Sequence, residues 1–159
     1  MKSTGQVVLE YTNIIAASPE AVFHVISDPH SKLLWVPAIR RVEMESDTPI
    51  GLGIHYLASA GIGPVEFVFR EQIMEWVENQ RVSYGGKLLW AKFKTIVNIE
   101  PHKVGTRVNY LMDYVFPGGR ISSWIGRVLT GLYRQQVEAR TSERFKEVIE
   151  RSLWHPEGE

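Results

Sequence analysis

Ile121, Ile125, Leu129, Tyr133, Val137, Thr141, Phe145, Ile149 and Leu153 stand four residues apart, and eight of these nine are apolar or aromatic. Thr141 keeps a methyl group, and no proline interrupts the run from Ile121 to Leu153. The stretch predicts one long helix. A helix turns about 100° per residue, so each step of four overshoots a full turn by about 40°. Over the whole run the stripe winds by roughly 320°. The early apolar face (Ile121, Ile125, Val128, Leu132) therefore lies opposite the late one (Val137, Thr141, Phe145, Val148). At the late end the early face carries Glu143, Glu147 and Glu150. The two ends need different apolar surroundings. A strongly curved sheet would supply both, as would a bend near Gly126 or Gly131.

Working outward, Gln6 to Ala17 alternates as a strand, with Leu9, Tyr11, Asn13 and Ile15 on one face. Ser18-Pro19-Glu20 opens a helix: a cap, a proline suited to the first helical position, and an acid at the positive dipole end. That helix stops at Asp28-Pro29, and a second short one from about His30 to Val36 ends before Pro37. Six strands follow: Ile39–Ser46, Gly53–Ala60, Val65–Val77, Arg81–Gly85, Leu88–Glu100 and Thr106–Phe116. Short turns join them, which implies an antiparallel meander with helices on one face, an α+β architecture. Alternation directs Phe67, Phe69, Ile73, Val82, Tyr84, Phe93, Thr95, Val97, Ile99, Val108, Tyr110, Met112, Tyr114 and Phe116 inward. The same phase directs Glu71 inward.

The 159 residues suit one domain, residues 1–153, with a mobile tail at 154–159. Equal numbers of basic and acidic residues, 18 each, argue against binding nucleic acid through a basic surface. With no cysteine, disulfides, thiolate metal sites and cysteine nucleophiles are excluded. The five histidines show no metal-ligand spacing, and the serines lack a nucleophile-elbow context. Gly51-Leu-Gly53 and Gly61-Ile-Gly63 read as turns, because neither precedes a helix. No metal, cofactor or catalytic constellation is expected. With no signal-peptide core and no membrane-length apolar run, a cytoplasmic location is expected.

Several segments together resemble a known superfamily: Ile15-x-Ala-Ser-Pro-Glu-Ala-Val-Phe23, Ile26-Ser-Asp-Pro29, Trp35-Val-Pro37-x-Ile39, Val42-Glu43, Gly51-x-Gly53, Glu75-x-x-Glu-Asn-x-Arg-Val82 and Gly105-Thr-Arg-Val108. Their order and spacing resemble the START/Bet v 1-like (SRPBCC) superfamily, and within it the bacterial polyketide cyclase/dehydrase-like and coenzyme Q-binding proteins. The resemblance spans residues 6 to 152. It implies a helix-grip fold: a seven-stranded curved antiparallel sheet around a long C-terminal helix, two short helices after the first strand, and a hydrophobic cavity between. It also implies varied functions, since carriers, receptors, cyclases, hydrolases and ribosome-associated toxins share the fold.

The expected activity is binding or transport of a hydrophobic small molecule such as a lipid, quinone or polyketide-like compound. The candidate lining is Tyr11, Asn13, Trp35, Phe67, Phe69, Tyr84, Phe93, Tyr110, Met112 and Tyr114 from the front half. Trp124, Ile125, Val128 and Leu129 of the long helix complete it. These side chains also suit a filled core. Glu71 could act as a general base or orient a ligand, or be held in a structural hydrogen bond, or be turned outward by a bulge. A cyclase or dehydratase built on Glu71 is the first alternative, and a macromolecular interaction role of the toxin-like kind is the second. Ile121 to Tyr133, with Arg120, Arg127 and Arg134 and no acid before Glu138, also has the pattern of a helix making transient contact with an anionic membrane.

Overall fold

The computed structural model describes residues 5–36, 38–88, 90–120, 124, 126–128, 131 and 139–152. In chain order the elements are β1 (Gly5–Ile15), α1 (Pro19–Ser27), a 3-10 turn (Pro29–Ser31), α2 (Lys32–Trp35), β2 (Ile39–Met44), β3 (His55–Ile62), β4 (Val65–Val77), β5 (Arg81–Leu88), β6 (Ala91–His102), β7 (Gly105–Phe116) and α3 (Ala139–Ser152). The strands make one seven-stranded antiparallel sheet in the order β1-β7-β6-β5-β4-β3-β2. From β2 to β7 each strand pairs with its neighbour in sequence. Only β1 reaches across the chain, lying on β7 with Gly5 opposite Phe116 and Ile15 opposite Thr106.

The local chemistry places these elements where the sequence directs them. Ser18 Oγ accepts a hydrogen bond from the Ala21 amide at 3.3 Å, and Pro19 occupies the first turn of α1. Val22, Phe23 and Ile26 project from that helix into the core. Phe145 and Ile149 of α3 are fully buried, whereas Glu143, Arg144, Lys146 and Glu147 face solvent. Phe145 and Ile149, from the late part of the long stripe, thus anchor α3 in the core. The early part of the stripe is described only in fragments: Gly119, Arg120, Trp124, Gly126 to Val128 and Gly131 are helical. Whether the helix bends near Gly126 or Gly131 turns on residues outside those described, as does the tail at 154–159.

Most strand boundaries move by one to three residues. The β3–β4 hairpin closes more tightly than expected, because Gly63 takes a positive φ of 57° and a two-residue turn suffices. β3 therefore runs on through Gly61 and Ile62, and β4 begins at Val65 as expected. Similarly β5 continues to Leu88, three residues beyond Gly85. One irregularity changes a phase. The β4–β5 register shifts between Ile73 and Glu75, so Met74 turns out to solvent and Trp76 packs inward against Phe23, at 5.0 Å between ring centroids.

Candidate functional site

The inner face of the sheet is built in rows, since residues directly opposite across a ladder share a face. One row runs Tyr11, Tyr110, Val97, Val82, Trp76. Another runs Tyr114, Phe93, Gly86, Glu71, Tyr56, Met44. The two rows have different chemistry.

The first is aromatic. Tyr11 stacks on Tyr110 at 4.7 Å with 19° between the rings. Trp35 arrives from α2 and Phe145 from α3, meeting Tyr110 at 5.8 and 5.2 Å and each other at 5.0 Å. These are tilted and edge-on contacts of the kind that aromatic quadrupoles favour. The Trp35 indole N–H donates to Ser31 Oγ at 3.1 Å, and Ser31 Oγ donates to the Asp28 carbonyl at 2.7 Å. The Tyr110 hydroxyl is fully buried and has no hydrogen-bond partner among the described residues. Burial, with the neighbouring Tyr11 and Tyr84, pushes its pKa well above 10.0.

The second row carries charge. Glu71 is 4% exposed and the Lys32 side chain 8%. The Lys32 ammonium donates to Glu71 Oε1 at 2.6 Å and to the Tyr56 hydroxyl at 2.7 Å. It also lies 3.9 Å from the centre of the Tyr84 ring. Two of its protons thus meet oxygen and the remaining direction meets a π face. The Tyr84 hydroxyl donates to the Ile26 carbonyl, which fixes that ring under the ammonium. Burial lowers the Lys32 pKa from its ordinary 10.5, and Glu71 opposes the shift. Burial first, and then the Glu71 charge, raise Tyr56 and Tyr84 well above 10.0. A carboxylate, an ammonium and two neutral phenols so arranged can exchange a proton or hold a carbonyl or hydroxyl oxygen.

The structure gathers most of the candidate lining. Phe69 meets Phe93 edge-on at 5.5 Å, and Phe93 leads to Tyr114 at 6.3 Å. The Tyr114 hydroxyl points to Met112 Sδ at 3.8 Å. Phe67, Phe93, Tyr114 and Asn13 are half-buried. Trp124 and Val128 are not in this cluster: they are 65% and 42% exposed. Ile125 and Leu129 lie outside the described residues. Glu71 is inward, and the bulge that could have turned it out lies further along the strand, after Ile73.

Lys32 is the residue that sequence reasoning missed. It stands in a four-residue helix, too short to show which face a side chain takes, and its carboxylate is 39 positions away. The available signal was Glu71 itself, since a buried carboxylate calls for a cation. Among the described residues no group of three or more His, Cys, Asp or Glu could hold a metal. A separate open groove of about 580 Å³ lies on the outer face, among Thr12, Gln80, Arg81, Asn98, Arg107 and Asn109. It includes none of the predicted lining.

Residues 6–150 match the family model described as polyketide cyclase / dehydrase and lipid transport. No curated protein matches the sequence. Among solved structures, a protein of unknown function from Staphylococcus aureus superposes with a TM-score of 0.74 at 13% identity, covering 96% of this chain and 98% of that one. A Thalictrum norcoclaurine synthase point mutant in complex with a transition-state analogue gives 0.70 at 16%, covering 96% and 99%. Ara h 8.0201 gives 0.67 at 12%, covering 92% and 99%. At these identities the likeness is one of fold, and the fold is the Bet v 1-like helix grip expected from the sequence.

Proposed function

Since the chain belongs to the polyketide cyclase/dehydrase and lipid transport family, we propose that it binds a hydrophobic small molecule between the inner face of its sheet and its C-terminal helix. The observation that carries this reading is the Tyr110 hydroxyl. It is a fully buried polar group, without a partner among the described residues, set in an aromatic wall. Buried polar groups nearly always find partners, and a ligand oxygen would serve. The half-buried Phe67, Phe93 and Tyr114 would receive the apolar body of a lipid, quinone or polyketide-like compound. Affinity would come from buried apolar area, at about 25 cal/mol per Å², less the cost of ordering the ligand. The exposed Trp124 and Val128, with Ile125 and Leu129, would form the gate.

Native mass spectrometry of freshly purified protein, followed by organic extraction, tests the proposal. A lipid-like adduct that leaves on unfolding is expected, and Tyr110→Phe should weaken an oxygen-bearing ligand about tenfold, the worth of one hydrogen bond. A ligand-free spectrum, together with no uptake of an apolar fluorescent probe, would overturn it.

A second reading is favoured by the burial of Glu71 beside Lys32, Tyr56 and Tyr84. In it the protein is a cyclase or dehydratase and Glu71 takes a proton from a polyketide-like substrate. Glu71→Gln should then abolish turnover while leaving ligand binding intact. Equal loss of both would leave Glu71 a structural role only.

A further inference from the structure

Cations stand in register at one end of the outer face. Arg70, Lys87 and Lys92 lie directly opposite one another on β4, β5 and β6. All three are exposed. Like charges opposed across a ladder destabilise a sheet unless something answers them. Glu45 answers Arg70 at 2.6 Å. Neither Lys87 nor Lys92 makes an ion pair among the described residues. From Gln80 to Ile99 the sequence has no acid. One residue beyond the Leu88–Ala91 pair, the hairpin tip presents Trp90, 45% exposed.

A second projection stands at the same end. Lys92 pairs with Val115, so β7 finishes beside the hairpin. A Cβ on Gly126 would come within 2.9 Å of the Phe116 ring, which sets the following helical residues against the end of that strand. There Trp124 and Val128 are exposed, flanked by the exposed Arg120 and Arg127. Of the acids on the neighbouring strands, Asp113 lies opposite Lys94 and accepts from Gln6 at 2.9 Å, and Glu66 pairs with Arg41 at 3.3 Å.

We propose that this end of the molecule docks on an anionic lipid surface, with Trp90 and Trp124 entering the headgroup layer and Lys87, Lys92, Arg120 and Arg127 meeting lipid phosphates. Exposed tryptophans beside unanswered cations suit that boundary, where an apolar body and a wet rim are both satisfied. Val128 favours lipid over nucleic acid, whose backbone rewards only the cations. The helix pattern alone pointed to residues 121–133; the structure adds the β5–β6 hairpin as a second foot. The proposal is independent of the cavity reading, because the same protein docks whether loaded or empty.

Vesicle flotation with intrinsic tryptophan fluorescence provides the test. The full chain should bind phosphatidylcholine–phosphatidylglycerol vesicles, bind phosphatidylcholine alone at least tenfold more weakly, and lose binding as salt rises. Lys87→Glu with Lys92→Glu, and separately Trp90→Ser, should each cut partitioning about tenfold while the circular dichroism spectrum is unchanged. Lys103→Glu, in the turn at the opposite end of β6, should leave it unchanged. No preference for anionic vesicles, equal loss in the Lys103 variant, or binding to duplex oligonucleotide in place of vesicles would each overturn the proposal.

Discussion

Among the described residues, helices close one end of the sheet and leave the other open, although the same strands run through both. At the closed end α1, α2 and α3 bring Ile26, Trp35, Phe145 and Ile149 to complete burial or near it. At the open end Val65, Val68, Trp90, Trp124 and Val128 stay between 42% and 65% exposed. What differs among the described residues is whether helices lie over the rings. Stability is concentrated where helices meet rings.

The contrast is broken most severely from the closed end. Phe145→Ala removes a ring held by Trp35 and Tyr110, and should cost about 3–5 kcal/mol in urea unfolding. Trp124→Ala should cost less than about 0.5 kcal/mol in the same experiment, because an exposed side chain gives up little on truncation. If the two costs came out equal, stability would not be divided between the ends as described.

Next in size is the pair between them. Glu71→Leu leaves the Lys32 ammonium buried and unanswered, and should cost about 3 kcal/mol or more. Adding Lys32→Met should recover most of that loss, since a hydrophobic pair of similar volume avoids the desolvation of two charges. Failure of the double variant to recover would show that the pair does more than satisfy itself.

A smaller and more gradual effect should come from alkali. Tyr56, Tyr84 and Tyr110 have pKa values raised well above 10.0 in the folded protein. A raised pKa gives stability that is present below the unfolded value and lost as pH climbs past it. Above about pH 10 the unfolded chain sheds protons that the folded chain keeps, so stability must fall. Lys32, whose folded pKa lies below 10.5, acts with the opposite sign just beneath that pH, but it is one group against three. Absorbance titration should find these three phenols, of six in the chain, silent until unfolding.

Much of this was legible from residue order, for a specific reason. Period-two alternation fixes the face of a strand residue without knowledge of its partner, so Glu71, Tyr84 and Tyr110 could be placed inward from sequence. Trp76 escaped, because the bulge after Ile73 moves the phase by one and leaves no mark that alternation can detect. Lys32 escaped because a four-residue helix has no period to read. That Trp90 and the helical residues after β7 stand at one end escaped because it depends on register between distant strands, which no local pattern encodes.

The placement of β1 has a consequence for how the chain is made. Every pairing from β2 to β7 joins neighbours, so the meander can zip together hairpin by hairpin as it leaves the ribosome. The first strand alone must wait: its partner, ending at Phe116, emerges more than a hundred residues later. Of the seven strands, the first made is therefore the last to find its partner, and until then β7 presents a bare edge to any other strand nearby.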